Sequence, residues 1–280
     1  MLSESISLMS WCDIGVNFTD KRLDFEPVFE RAMAADIDHI IITGTSLDKS
    51  QQAIQLAEQY PSHLSTTAGV HPHDASQFSL QTINELKALA KSNRVVAIGE
   101  CGLDFNRNFS TPEQQFFAFE QQLKLACELG LPVFLHERDA FEAQIKFLTK
   151  YRNALKGGVV HCFTGNIQQM NHYLDLDLYI GITGWVCDLK RGQALRDAVK
   201  SLPLNRILLE TDAPYLRPKG LANNRKVDNG NNEPAYLPYV AEEIASLMAT
   251  DIKTLQISSQ ANTHALFNIS SMSAKDNRAE

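Results

Sequence analysis

Eight short apolar runs, each closed by a polar or glycine-rich turn and separated by longer stretches of helical spacing, set the strongest constraint on how this 280-residue chain folds. They are WCDIGVN (11–17), HIIITG (39–44), LSTTAGVH (64–71), VVAIGE (95–100), PVFLH (132–136), GVVH (158–161), LYIGIT (178–183) and RILLETD (206–212). Their ends recur about every 28 residues on average, which accommodates a strand, a crossover helix and two short loops. A βαβα alternation dictates parallel pairing, and eight such units predict an α/β fold, a single-domain (β/α)8 TIM barrel over residues 11–268 with flexible termini at 1–10 and 269–280. An open doubly wound sheet is the alternative. No G-x-G-x-x-G turn follows the first run and no Walker-type lysine loop occurs anywhere, which removes support for a nucleotide cofactor.

The stretches between the runs carry helix signals. In 111–130, Thr111 is placed to cap, Pro112 suits the first helical position, Gln114 completes a capping box and Gly130 supplies the stop. Phe116, Phe119, Leu123 and Cys127 recur on one face of that segment, and Ile83, Leu86 and Leu89 form a similar stripe in 80–90. Two further helical patterns, 234–248 and 251–267, follow the eighth run.

Composition excludes several classes. With 26 basic against 33 acidic residues the net charge is -7, which rules out a globally basic coat on nucleic acid. No apolar run approaches the roughly 18 residues that cross a bilayer, and the first ten residues lack the basic and apolar regions of a signal peptide. Cys12, Cys101, Cys127, Cys162 and Cys187 are dispersed, odd in number and without a C-x-x-C pair, as expected of reduced thiols in a cytoplasmic protein.

In such a barrel the chemistry gathers where strands end at the C-terminal face. His71 ends the third run, Glu100 the fourth, His136 the fifth, His161 the sixth and Asp212 the eighth; His73 and Asp74 lie just beyond the third. A histidine after an apolar run is by itself commonly a hydrogen-bonded rim residue, but three imidazoles and two carboxylates from five strands form a mixed donor set suited to a divalent cation. Glu100, His136 and His161 can hold the cation with positions open for water; Asp212 can accept a proton from that water or bind the cation as well. His71, with His73 beside it, is the candidate for orienting the leaving group or stabilising developing charge. These residues point to metal-assisted hydrolysis. No G-x-S-x-G elbow occurs, and Cys101 and Cys162 are expected to pack behind the site.

The segments DIGVNFTD (13–20), AGVHPHD (68–74), AIGECGLDFNRNFSTPE (97–113), HCFTG (161–165), YIGITGWVCD (179–188), ETDAPYL (210–216) and NNEP (231–234) together resemble the TatD family of metal-dependent deoxyribonucleases. The resemblance runs from about Trp11 to Phe267. It implies a barrel of the metal-dependent hydrolase type in a cytoplasmic enzyme. It also implies Mg2+-dependent phosphodiester hydrolysis, as a 3'-to-5' exonuclease of single-stranded DNA and RNA, in DNA repair or nucleic-acid turnover. Glu100, His136 and His161 match the family's metal ligands, Asp212 its active-site aspartate. The cation expected is Mg2+, with Mn2+ or Zn2+ as substitutes, and the chain is expected to act as a monomer away from membranes. One departure stands out: relatives commonly carry D-x-H-x-H at the first strand, and here Asp13, Gly15 and Asn17 occupy that pattern. The loss predicts one strong cation site and a weak second one.

An acidic protein that binds a polyanion needs local positive charge. Arg217, Lys219, Arg225 and Lys226 follow the eighth strand, Lys190 and Arg191 the seventh, and Arg107 and Arg138 the fourth and fifth. Trp185 and Phe105 either stack on bases or pack against neighbouring loops. Two other functions remain open to the sequence: a barrel hydrolase of a small amide or an aminoacyl-tRNA ester, and a binding module with a vestigial site.

Overall fold

The strands of the computed structural model are Trp11–Val16 (β1), Ile37–Ile42 (β2), Leu64–Ala68 (β3), Val95–Asp104 (β4), Val133–Arg138 (β5), Gly158–Val160 (β6), Tyr179–Ile182 (β7) and Ile207–Leu209 (β8). Residues 10–221 and 230–269 are described. The strands pair in parallel in the order of the chain, β1 through β8. β8 returns to β1 through a parallel bridge between Val16 and Ala213, flanked by Asn17 N–H to Ala213 O and Asp212 N–H to Gly15 O, both 2.8 Å. This closes the TIM barrel that the alternation predicts.

The connecting helices are Phe25–Ala34 (α1), Leu47–Gln59 (α2), Leu80–Leu89 (α3), Pro112–Leu129 (α4), Phe141–Tyr151 (α5), Ile167–Asp175 (α6) and Gln193–Val199 (α7), followed by Leu237–Leu247 (α8) and Ile252–Phe267 (α9). α4 follows its sequence signals closely. Thr111 Oγ1 accepts from Gln114 N–H while Gln114 Oε1 accepts from Thr111 N–H, and Gly130 ends the helix at φ 63°.

Two apolar layers result from strand alternation. Ile14, Ile41, Phe134, Val159 and Leu208 point into the barrel, where α9 adds Leu266 and Phe267. Ile40, Ile42, Val133, Leu135 and Ile207 point outward under the helices. Ser10, assigned by sequence to a flexible terminus, is buried and accepts a 2.8 Å hydrogen bond from Gln260.

Candidate active site

The inner layer determines what stands above it. Two residues after Phe134, Val159 and Leu208 come His136, His161 and Glu210, so the period of two stacks the polar groups directly on the apolar plug. The ring of Phe134 supports that of His161 at 4.7 Å between centroids.

Glu100 arrives differently. It lies within β4, which continues to Asp104, rather than at the strand's end, as His136 also lies within β5, which continues to Arg138. Ile98 and Cys101 both face the outer layer although they are three apart, because Glu100 is an extra residue between Gly99, paired with Phe134, and Cys101, paired with Leu135. Without this bulge, Glu100 would share the outward face of Ile98; with it, the carboxylate turns into the mouth. Gly99 makes the bulge feasible: its φ is +146°, and a Cβ there would overlap the Phe134 carbonyl. His71 and Asp212 each lie three residues past their strands, which end at Ala68 and Leu209, and Asp212 takes φ 55°.

Three imidazoles converge on one carboxylate oxygen. Glu100 Oε1 lies 2.9 Å from His136 Nδ1, 3.1 Å from His161 Nε2 and 3.4 Å from His71 Nε2. Each ring engages its other nitrogen elsewhere. His136 Nε2 meets Asp104 Oδ2 at 3.2 Å, His161 Nδ1 meets Glu210 Oε2 at 2.9 Å, and His71 Nδ1 accepts from His73 N–H at 3.1 Å. Asp104 Oδ2 also meets His73 Nε2 at 2.8 Å, so one carboxylate joins His73 to His136.

The charges follow from these contacts. Burial alone would raise Glu100, yet His161 and His71 hold its carboxyl well below the usual range. Burial would lower His136, but hydrogen bonds to Asp104 and Glu100 lift it to about 9. His161 is likewise lifted against burial by Glu210 and Glu100. His71 falls to about 4 because burial outweighs Glu100, so it is neutral at pH 7. Burial, with Glu100 and Glu210 adding repulsion, pushes Asp212 to about 7 against the pull of His161; Asn17 Nδ2 donates to its Oδ1 at 3.0 Å.

The set fits a divalent cation on the chemistry of its donors. Proximity alone groups His71 with Glu100 and His136. Protonation separates them: neutral His71 accepts at Nδ1 and therefore carries its proton on Nε2, facing Glu100 as a donor. His136 and His161 direct their N–H groups at Asp104 and Glu210, leaving a lone pair toward Glu100 once the competing proton is displaced.

A cavity of about 590 Å³ opens over the group and brings His71, His73, Glu100, His136, His161 and Asp212 to one surface. Lys49, Arg107, Phe109 and Tyr215 share its lining. Arg138 lies on the rim between this cavity and a neighbouring groove that contains Trp185. Two expected nucleic-acid contacts are not in this lining: Arg217 lies 5.9 Å over the Tyr236 ring, and Lys219 lines a further hollow with Lys190, Arg191 and Tyr239, Arg191 being shared with the groove. Arg225 and Lys226 lie outside the described residues. Cys101 packs in the outer layer as expected, whereas Cys162 lines the cavity, its thiol kept protonated by burial.

Sequence reasoning missed Asp104 and Glu210. The alternation could have found Glu210, two residues beyond inward-facing Leu208; Asp104 was concealed by the bulge, which resets the phase of β4. It also left Asp13 without a role. Asp13 is fully buried, accepts from Thr211 N–H at 2.9 Å and from Thr211 Oγ1 at 2.5 Å, and clamps β1 to the segment following β8.

Comparison with known proteins agrees with this architecture. The family model described as TatD related DNase matches residues 12–268. The chain is 49% identical over 259 residues to the 3'-5' ssDNA/RNA exonuclease TatD of Salmonella typhimurium, covering 92% of this chain and 98% of that protein. It is also 49% identical over 264 residues to the protein of the same name from Citrobacter rodentium, covering 94% and 99%. The crystal structure of YJJV, a TatD homolog from Escherichia coli, superposes with a TM-score of 0.84 at 29% identity, covering 93% of this chain and 98% of that one. A TatD family hydrolase from Entamoeba histolytica gives 0.83 at 27%, covering 92% and 98%. Matched along nearly its whole length by the family model and by these relatives, the chain belongs to the TatD family of DNases.

Proposed function

We propose that the protein is a divalent-metal-dependent 3'-to-5' exonuclease that hydrolyses phosphodiester bonds of single-stranded DNA and RNA. The observation that carries this reading is its 49% identity, across 98% of the relative, to an exonuclease of that name. Those relatives do not favour the alternative of an amide or aminoacyl-tRNA ester hydrolase.

Glu100, His136 and His161 are the proposed ligands, with Asp212 beside them. A cation bound there supplies Lewis acidity toward a phosphoryl oxygen and lowers the pKa of water. Asp212, its carboxyl raised by burial and oriented by Asn17, takes the proton of the attacking water. The His71 Nε2–H donates to the phosphate or to the departing oxygen, and His73, held by Asp104, stands behind it at the mouth. Arg138, Arg107 and Lys49 supply the local positive charge that a net charge of -7 withholds.

Mg2+ is the proposed cation; two imidazole ligands also admit Mn2+ and Zn2+. We place the enzyme in the cytoplasm as a monomer, serving DNA repair or nucleic-acid turnover. Among the described residues no helix is long and apolar enough to cross a membrane.

The test uses single-stranded oligonucleotides with free or blocked 3' ends, in Mg2+ or in chelator. Stepwise mononucleotide release that requires a free 3' end, stops in chelator and is lost in Glu100→Ala is the expected result. Release by Glu100→Ala at the parental rate would refute the reading.

A further inference from the structure

Beside the catalytic cavity lies a groove of about 970 Å³, at the upper end of the roughly 300–1,000 Å³ typical of ligand pockets. The two adjoin: Glu137, Arg138 and Thr164 line both. The groove's apolar side is aromatic. Phe105 meets Phe116 edge-on at 5.9 Å, and Phe116 meets Phe147 at 5.5 Å. Trp185 stands in the same lining on a short 3-10 turn, Gly184–Cys187, whose start is capped by Thr183 Oγ1 accepting from Trp185 N–H at 3.3 Å.

Trp185 is held in place by a cation over its ring. The Arg191 guanidinium lies 4.5 Å from its ring centroid, and Asp188 fixes that guanidinium through Nε and Nη2, each at 2.8 Å. Such pinning lowers the ordering cost of presenting a flat surface to a ligand. Arg138, Lys146 and Arg191 line the groove along with Glu137, Asp139 and Glu142, so its net charge does not select an anion. Two of the acids are engaged by the protein itself: Glu137 Oε1 accepts from Ala140 N–H at 2.7 Å, and Asp139, at the surface, accepts from the Asn106 amide at 2.7 Å. Aromatic planes with few free polar partners recognise a flat, sparingly polar ring. A strand whose end lies in the cavity has this adjoining groove within reach.

Resting on the exonuclease reading, we propose that this groove is a nucleobase subsite. It takes the bases immediately 5' to the scissile bond by stacking on Trp185 and the Phe105–Phe116 pair, while Arg138 at the shared rim holds the intervening phosphate. The subsite reads the presence of a base and not its identity, because every base has a π-face.

The experiment measures oligonucleotide affinity by fluorescence anisotropy in chelator, where no turnover intervenes, with a single abasic nucleotide moved stepwise from the 3' end. One or two adjacent positions should be sensitive, each weakening binding about 5- to 150-fold. Trp185→Ala should weaken binding of the intact strand comparably and abolish most of the abasic effect, a non-additive pair. Trp185→Phe keeps an aromatic plane and should show the same coupling at reduced size, so the result does not depend on how well the alanine variant folds. Abasic effects that are uniform along the strand, or that add in full to either substitution, would overturn the subsite. Turnover of unmodified strands by the parent protein tests the exonuclease reading separately.

Discussion

Replacing Glu210 by Gln changes one atom in a fully buried carboxyl and is expected to weaken divalent-cation binding about 10- to 100-fold, or about 1.4 to 2.8 kcal/mol. Both carboxylate oxygens are occupied: Oε2 accepts from His161 Nδ1–H at 2.9 Å and Oε1 accepts from Cys162 N–H. A glutamine offers one acceptor and one donor group, so it cannot satisfy both. If its oxygen faces Cys162, its NH2 faces His161 Nδ1, which must then accept; the imidazole proton moves to Nε2 and blocks the lone pair aimed at Glu100. If its oxygen faces His161 instead, the NH2 opposes the Cys162 N–H, two donors buried against each other at a cost of about 1 to 3 kcal/mol. Either orientation penalises the loaded state. Titrating Mn2+ into chelator-stripped protein by calorimetry gives the affinity, and imidazole 15N chemical shifts report which nitrogen of His161 carries the proton. An affinity within twofold of the parent, with the His161 tautomer unchanged, would refute the reasoning.

The metal-free protein should lose stability as pH rises from about 7.5 to 9. Over that window the unfolded chain has ionised carboxylates and essentially neutral imidazoles, whereas the native state retains protons until Asp13 and His136, raised to about 8 and about 9, titrate, after Asp212 near 7 has largely done so. The native state thus binds more protons, and each one retained steepens the fall by about 1.4 kcal/mol per pH unit. His71 and His39, lowered to about 4 by burial, are neutral in both states there and do not oppose the trend. A melting temperature that rises with pH in chelator would contradict the assignment. Gly99→Ala should cost more than about 3 kcal/mol or prevent folding, since it strains a φ of +146° and drives a methyl into the Phe134 carbonyl; urea denaturation with a midpoint near that of the parent would refute it. Thr111→Ala removes only the α4 cap and should cost about 1 kcal/mol in the same assay, with activity retained.

The legible and the hidden parts of this protein differ for a physical reason. Strand number, order and the capping of α4 depend on local residue pattern, and all of them could be read from it. His136 and His161 were legible because their strands keep strict alternation. Glu100 was found for an incomplete reason: it looked like a strand terminus, whereas it is a bulge within a longer strand, and only the pairing of Gly99 and Cys101 with successive residues of β5 reveals that. Asp104 and Glu210 act through other side chains, so their roles exist only once His136 and His161 are in place. The basic residues after β8 depend on contacts that position alone does not encode. Position after a strand puts a residue on the catalytic face, but Arg217 and Lys219 turn to Tyr236 and to a further hollow.

The missing histidine pair at β1 follows the same logic. A Cβ on Gly15 would overlap Glu210 Oε2, so the space where a side chain would begin is filled by the carboxylate that orients His161. Asn17, at the second histidine position, donates to Asp212, and Asp13 closes the barrel through Thr211. Of the two histidine positions, Gly15 is therefore closed by Glu210 and Asn17 is engaged with Asp212, while the retained Asp13 holds the barrel seam. Restoring Gly15→His alone, or together with Asn17→His, should not create a second cation site. It should expel Glu210, release His161, and lower both Mn2+ affinity and melting temperature. A gain of a second equivalent of bound Mn2+ in either variant, with the first site intact, would show instead that β1 had simply lost its ligands and that Glu210 merely occupies the vacated space.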